Sequence, residues 1–208
     1  MTRLPFVDRD SDDPEIRELL SWVEQVEGAV PNHFLLELHF PPHFKAWLKW
    51  VRTLWDEGEL SFLEIQHVGV AISKANRCPY CAGSFCSVLE HGGGAGRQEV
   101  EDFLARDVAA LSGRERALVE FALLANTDPH AVTQADIDGL RELGLTDRGV
   151  VQLVWVVNMF ASSNRVNTVL DTASDDGNPY QAMAEALQRE PPSEGSGPTR
   201  SSIAGRDG

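Results

Sequence analysis

The chain has 208 residues, 42% of them apolar, which is enough for one full-sized hydrophobic core without covalent staples. Its 18 basic and 32 acidic side chains leave a formal charge of −14, and no Lys/Arg cluster forms a positive stripe able to release counterions from phosphates. Nucleic acid and anionic membranes are therefore excluded as expected partners.

The opening "MTRLPFVDRDSDDPE" lacks the apolar stretch of a secretory signal and is too acidic for a transit peptide, so a cytoplasmic location is expected. Residues 1–12 read as a partly flexible lead. From there "DDPEIRELLSWVEQVEG" places Asp13 as N-cap and Pro14 at the first helical position, with Ile16, Leu19, Leu20, Val23 and Val26 on one stripe and Gly28 at the end. "PPHFKAWLKWVRTLWDEG" repeats the pattern, with Phe44, Trp47, Leu48, Val51, Leu54 and Trp55 facing the core. His33, His39 and His43 flank turns and apolar stripes, where structural roles are the usual explanation.

"LSFLEIQHVGVAISKAN" opens with Ser61 and Glu64 at capping-box spacing, and "LSGRERALVEFALLANTDP" opens the same way with Ser112 and Glu115. The pair is compatible with a duplicated helical unit. "HGGGAG" has no G-K-[ST] and no preceding strand, so it reads as a connector rather than a phosphate loop. Thr133 caps a short helix closed by Gly144. "TDRGVVQLVWVVNMFASSNRVNTVLD" is a long one, whose segment "VVQLVWVVNMF" is too short for a bilayer, which needs about 20 residues, and reads as a buried central helix. The polar, Gly/Pro/Ser-rich end of the chain predicts a disordered tail over 181–208. The expectation is an all-α domain of about eight helices over 13–180.

All three cysteines fall within the nine positions of "CPYCAGSFC", Cys78 to Cys86. Pro79 suits the first turn of a helix, which makes Cys78 its N-cap, and a thiolate there is favoured by the helix dipole and free N–H groups, with Lys74 and Arg77 adding positive charge. Cys81, three residues on, lies within disulfide reach on the same turn. A redox dithiol is one reading. The spacing Cys78-x2-Cys81-x4-Cys86-x4-His91 approaches a zinc knuckle, but a helical stretch between Cys81 and His91 would spread the ligands about 1.5 Å per residue. Burial as a small hydrophobe is the third reading and the preferred one for Cys86, which shares its helix with Phe85, Val88 and Leu89.

The stretch "LSFLEIQHVGVAISKANRCPYC", with Ala71, Ser73, Asn76, Cys78, Tyr80 and Cys81, resembles the carboxymuconolactone decarboxylase/alkylhydroperoxidase D superfamily, and within it the peroxidase-related branch that carries C-x-x-C. The likeness extends through the "LSGRERALVEFALLANTDP" and "NMFASSNRVNTVLD" segments, about residues 25 to 175. It implies an AhpD-like helical bundle and homo-oligomers, often trimers or multiples of them. It further implies a thiol peroxidase or disulfide reductase that needs no cofactor, acting on a peroxide with a thiol or dithiol protein as reductant. In such proteins the second cysteine meets the peroxide and the first resolves it. A His four residues after the second cysteine and a Glu twelve before the first form a proton relay. Here those positions are Phe85 and Gln66, so Gln66, His67 and Glu64 are the candidates for a rerouted relay, although Glu64 already has a capping role. Helix-end electrostatics favours Cys78 as the acidic thiol where the resemblance favours Cys81. The alternative is a catalytically degenerate scaffold or binding protein. Decarboxylase chemistry, which in the other branch uses His and Glu, is disfavoured by the dithiol.

Overall fold

A computed structural model describes residues 2–189, and among these every regular element is helical. The start signals act where they stand in the sequence. Asp13 accepts hydrogen bonds from the N–H groups of Glu15 (2.8 Å) and Ile16 (3.4 Å) to open α1 (Pro14–Glu27), and Gly28 ends it at φ 76°, a conformation that needs no Cβ. A short α2 (Asn32–Glu37) and α3 (Pro41–Asp56) follow. The apolar faces of α1, α2 and the first half of α3 close a separate small core around Leu19, Val23, Leu35, Leu38 and Phe44.

The main core is built around α4 (Phe62–Ala75). Its capping box is formed as spaced: the Glu64 N–H donates to Ser61 Oγ at 3.2 Å and the Ser61 N–H to Glu64 Oε2 at 2.8 Å. Every residue from Glu64 to Ser73 is buried, so α4 is the central helix, enclosed by α5 (Pro79–His91), α7 (Gly113–Thr127) and α9 (Asp147–Leu170). α6 (Arg97–Arg106) packs on α5, and α8 (Gln134–Glu142) leans on α7 and α9. Gly69 lets α9 approach, since a Cβ there would lie 2.7 Å from the Phe160 ring.

Four expectations need correction. The segment Val150 to Phe160 is not a buried central helix: Val151, Val154 and Trp155 are exposed, because α9 lies at the edge of the bundle and shows its outer face. Ser112 precedes α7 but makes no side-chain capping bond, so the resemblance of the two Leu-Ser starts stops at the sequence. The helices are ten α-helices among the described residues rather than about eight, since several of them are short, such as α2 with six residues and α6 with ten. Finally, α10 (Gln181–Arg189) occupies the first part of the span assigned to a disordered tail. It packs on α5 with Ala184 fully buried, and Tyr180 just before it donates its hydroxyl to Glu90 at 2.8 Å. Composition is blind to such docking; residues 190–208 of that span lie outside the described residues. The lead before α1 is tied down as well, with the Val7 N–H on the Leu35 carbonyl (3.0 Å) and the Arg3 N–H on that of Leu170 (2.9 Å).

Candidate active site

The turn between α4 and α5 is only three residues long, Asn76 to Cys78. Arg77 takes the left-handed conformation (φ 56°), letting the Cys78 N–H reach back to the Ser73 carbonyl at 2.9 Å and presenting Cys78 as the N-cap of α5. Cys78 Sγ accepts the N–H of Cys81 at 3.4 Å. Both sulfurs are buried, and their packing partners form a cluster of their own made of Tyr80 and Phe85.

This arrangement drives the two thiols apart in acidity. The Cys81 S–H donates to Cys78, and although burial opposes ionisation there, the Cys81 N–H and the Thr168 hydroxyl add to it, so the Cys78 thiol is held below its ordinary range. Burial, reinforced by the neighbouring Cys78, pushes Cys81 well up against the weaker support of the Asn164 and Asn167 amides. The expected cations are turned to other tasks: Lys74 sends its ammonium to the Leu104 carbonyl near the end of α6, and Arg77 is exposed to solvent. The acidity of Cys78 is thus a product of local donors rather than of formal charge.

Around the dithiol stands a carboxamide network that the sequence reading missed as a site. Asn164 Nδ2 donates to the buried Ser73 Oγ (2.9 Å), Asn76 Nδ2 donates to Asn164 Oδ1 (3.0 Å), and Asn76 and Asn126 exchange bonds of 3.2 and 2.9 Å. In the sequence Ser73 and Asn76 stand out only as part of the resemblance. A signal for the others was present, because Asn164 and Asn167 continue the inward stripe of Leu153, Val156, Val157 and Phe160, and polar residues at core positions ask for partners. An open groove of about 1030 Å³ lies on the other side, lined by Trp50, Phe121, Trp155, Asn76, Asn164 and Thr168 among others. Asn164 and Thr168 therefore face both the groove and the thiols.

Two of the three proposed relay residues, Glu64 and His67, are engaged elsewhere. Glu64 bonds Arg114 Nε at 2.6 Å in addition to its capping bonds; burial works against its charge, but Arg114 and Ser61 hold its carboxyl below the usual range. His67 packs edge-on against Phe103 and keeps Nδ1 3.7 Å from Glu115, too far for a hydrogen bond, and burial lowers its pKa. Gln66 is buried with Oε1 unpartnered. Of the five candidates, Cys78 and Cys81 are the two joined by a contact, the Cys81 N–H on Cys78 Sγ. At the position of the relay histidine, the Phe85 ring packs edge-on against Phe160 with centroids 4.7 Å apart.

The zinc arrangement is not assembled: Cys86 lies in the main core and His91 Nδ1 is 2.9 Å from the Ser87 carbonyl. Among the described residues no three His, Cys, Asp or Glu side chains converge as a metal set, and no helix is long and apolar enough to cross a membrane.

No protein-family model and no curated protein matches the chain. Solved structures do. The alkylhydroperoxidase AhpD core of a peroxidase-related protein from Ralstonia eutropha JMP134 superposes with a TM-score of 0.76 at 27% identity, covering 91% of this chain and 97% of that one. A peroxidase-related protein from Silicibacter sp. TM1040 gives 0.74 at 25% identity over 85% and 92%. The debrominase Bmp8, as its C82A variant with 2,3,4-tribromopyrrole, shares the fold at 17% identity, with a TM-score of 0.69 over 90% of this chain and 100% of that one.

Proposed function

We propose that this chain, a member of the AhpD-like superfamily, is a thiol-dependent oxidoreductase that cycles a disulfide between Cys78 and Cys81. The observation that carries the reading is the asymmetric pair at the start of α5, one thiol acidified by donors and the other held protonated against it. With a peroxide as oxidant, the Cys78 thiolate attacks an oxygen, the O–O bond breaks, and the released oxyanion takes a proton from solvent. Cys78 is left as sulfenic acid. The Cys81 thiol then attacks that sulfur, the S–O bond breaks, water leaves, and the disulfide forms. An external thiol or dithiol protein returns the two electrons and is itself oxidised. The cycle requires no metal or organic cofactor.

This order makes Cys78 the nucleophile, opposite to the order that the resemblance implies. The donors at Cys78 support it, because nucleophilic attack needs the thiolate. The groove behind Asn164 and Thr168 is the approach for the oxidant, since both cysteines are only 1% exposed. The reading also includes self-assembly through the outer face of α9, where Val151, Val154, Trp155, Val166 and Val169 are exposed, and a cytoplasmic location, where reducing thiols are plentiful. The fold alone does not select the oxidant, as Bmp8, a debrominase, has it too.

The experiment is to treat reduced protein with hydrogen peroxide or an organic hydroperoxide and map free thiols by differential alkylation and mass spectrometry. A Cys78–Cys81 disulfide that forms in step with peroxide loss is expected, with Cys86 untouched. A second reading, a scaffold without turnover, is favoured by Phe85, since a hydrocarbon ring accepts no proton. Under it, Cys78→Ser and Cys81→Ser change nothing but the thiol count.

A further inference from the structure

Tyr80, the residue between proline and the second cysteine, is buried, and its ring packs against Cys78 and Cys81. Its hydroxyl is bound from two distant parts of the chain. It donates its one hydrogen to Asp175 Oδ2 at 2.9 Å, in the loop after α9. It accepts the His33 N–H at 3.2 Å and lies 3.0 Å from His33 Nδ1, both on α2. Because the hydroxyl hydrogen is already committed to a carboxylate, His33 Nδ1 must be the donor in the last contact. That assigns the Nδ1–H tautomer of a neutral ring, in keeping with burial, which lowers His33 to about 3. The tyrosine oxygen thus gives one bond and accepts two from His33, with the Ser84 hydroxyl beside it. Asp175 is equally fixed, with Oδ1 taking the Asn32 N–H at 2.6 Å, and Asn32 Nδ2 spans to the carbonyls of Ala173 (3.2 Å) and Ser174 (2.9 Å).

Two parts of the chain far apart in the sequence, α2 and the loop after α9, thus converge on the hydroxyl of a ring that packs in the same cluster as both cysteines. Nothing in the peroxide chemistry uses them. We propose that Tyr80 is the positioning residue of the dithiol, held by Asp175 and His33 so that the first turn of α5 keeps the Cys81 N–H and S–H aimed at Cys78 in the reduced state. The clamp thereby favours the thiolate–thiol pair over the disulfide and makes the couple a stronger oxidant. This rests on the dithiol reading, but it can fail separately.

Tyr80→Phe keeps the ring and removes only the hydroxyl, and Asp175→Asn keeps the size of the anchor while removing its charge. Two quantities are read in the full chain: the rate of Cys78 alkylation by iodoacetamide as a function of pH, and the fraction of Cys78–Cys81 disulfide in glutathione buffers of graded ratio. The expected result in both variants is a Cys78 titration displaced upward by half a unit or more, which slows alkylation below that pKa by about threefold or more, with the disulfide favoured by a similar factor. Thermal melts run in parallel distinguish a merely structural role. If either variant melts lower than the parent while its alkylation profile and its disulfide equilibrium are unmoved, the proposal is overturned; equal profiles with equal melts overturn it too. Should the parent form no Cys78–Cys81 disulfide, the oxidoreductase reading fails, and the alkylation profile still decides whether the clamp sets Cys78.

Discussion

Asn164→Ala tests whether the carboxamide network is a structural unit of the site. The substitution leaves the fully buried Ser73 Oγ without its 2.9 Å donor and removes the acceptor that Asn76 Nδ2 holds at 3.0 Å, although Asn76 keeps Asn126. One orphaned buried polar group costs about 1–3 kcal/mol and one exchanged hydrogen bond about 1 kcal/mol, so a loss of about 2–4 kcal/mol is expected. Asn158→Ala is the control: it lies on the same helix, is exposed, and bonds only its own helix at the Val154 carbonyl (3.0 Å), so a change within about 0.5 kcal/mol is expected. Urea denaturation followed by far-UV circular dichroism measures both. The sharper form is a double-mutant cycle with Ser73→Ala, which removes the group that would be orphaned. Asn164→Ala should then cost about 1–2 kcal/mol less in the Ser73→Ala background. Additivity of the two changes, or an Asn164→Ala loss no larger than that of Asn158→Ala, refutes the network as a coupled unit.

Three further outcomes follow from buried contacts. Glu37 is only partly exposed, its Oε1 is buried without a partner, and burial raises its carboxyl from 4.5 to about 7. The folded chain therefore binds more protons than the unfolded one between these values, and stability falls as pH rises through that window; Glu37→Gln should gain on the parent by up to about 3 kcal/mol at pH 8 and by nothing below pH 4, read from denaturation midpoints. Gln152→Leu should be among the most damaging single changes, at least about 3 kcal/mol, because Gln152 serves the N–H groups of Glu59 (2.7 Å) and Leu60 (3.0 Å) and the Leu54 carbonyl (2.7 Å) where α3 turns into α4. Gly69→Ala drives a methyl to 2.7 Å from the Phe160 ring and should lower the melting temperature by the equivalent of about 1–3 kcal/mol; an unchanged melt would mean that α4 and α9 separate easily.

The oxidoreductase reading joins two observations of different kind. The likeness to AhpD-related structures shows that the chain shares their fold, and the local donors at Cys78 supply a reason for reactivity that needs no nearby cation. Phe85 is where these two lines meet. An aromatic ring packed on Phe160 cannot move a proton, so any proton released by the thiols leaves through other groups, and the amides of Asn164 and Asn167 orient rather than titrate.

By itself the sequence determined the helical class, the limits of α1, the capping box of α4 and the placement of Cys78 at the head of α5. Each of these depends on backbone donors and side chains no more than four residues apart, so the signal travels with the sequence. Tertiary structure alone decided which helix is central, because α9 is more apolar than its position at the edge requires and α4 is buried on all sides. It also decided that Lys74 turns to Leu104, that Glu64 and His67 belong to α7 and α6, and that α10 docks instead of dissolving into the tail. The Asp175–Tyr80–His33 clamp and the Ser73–Asn164 bond join residues 47 to 95 positions apart. No local propensity encodes such pairs, since their partners are chosen only when the helices pack and every buried polar atom must find one.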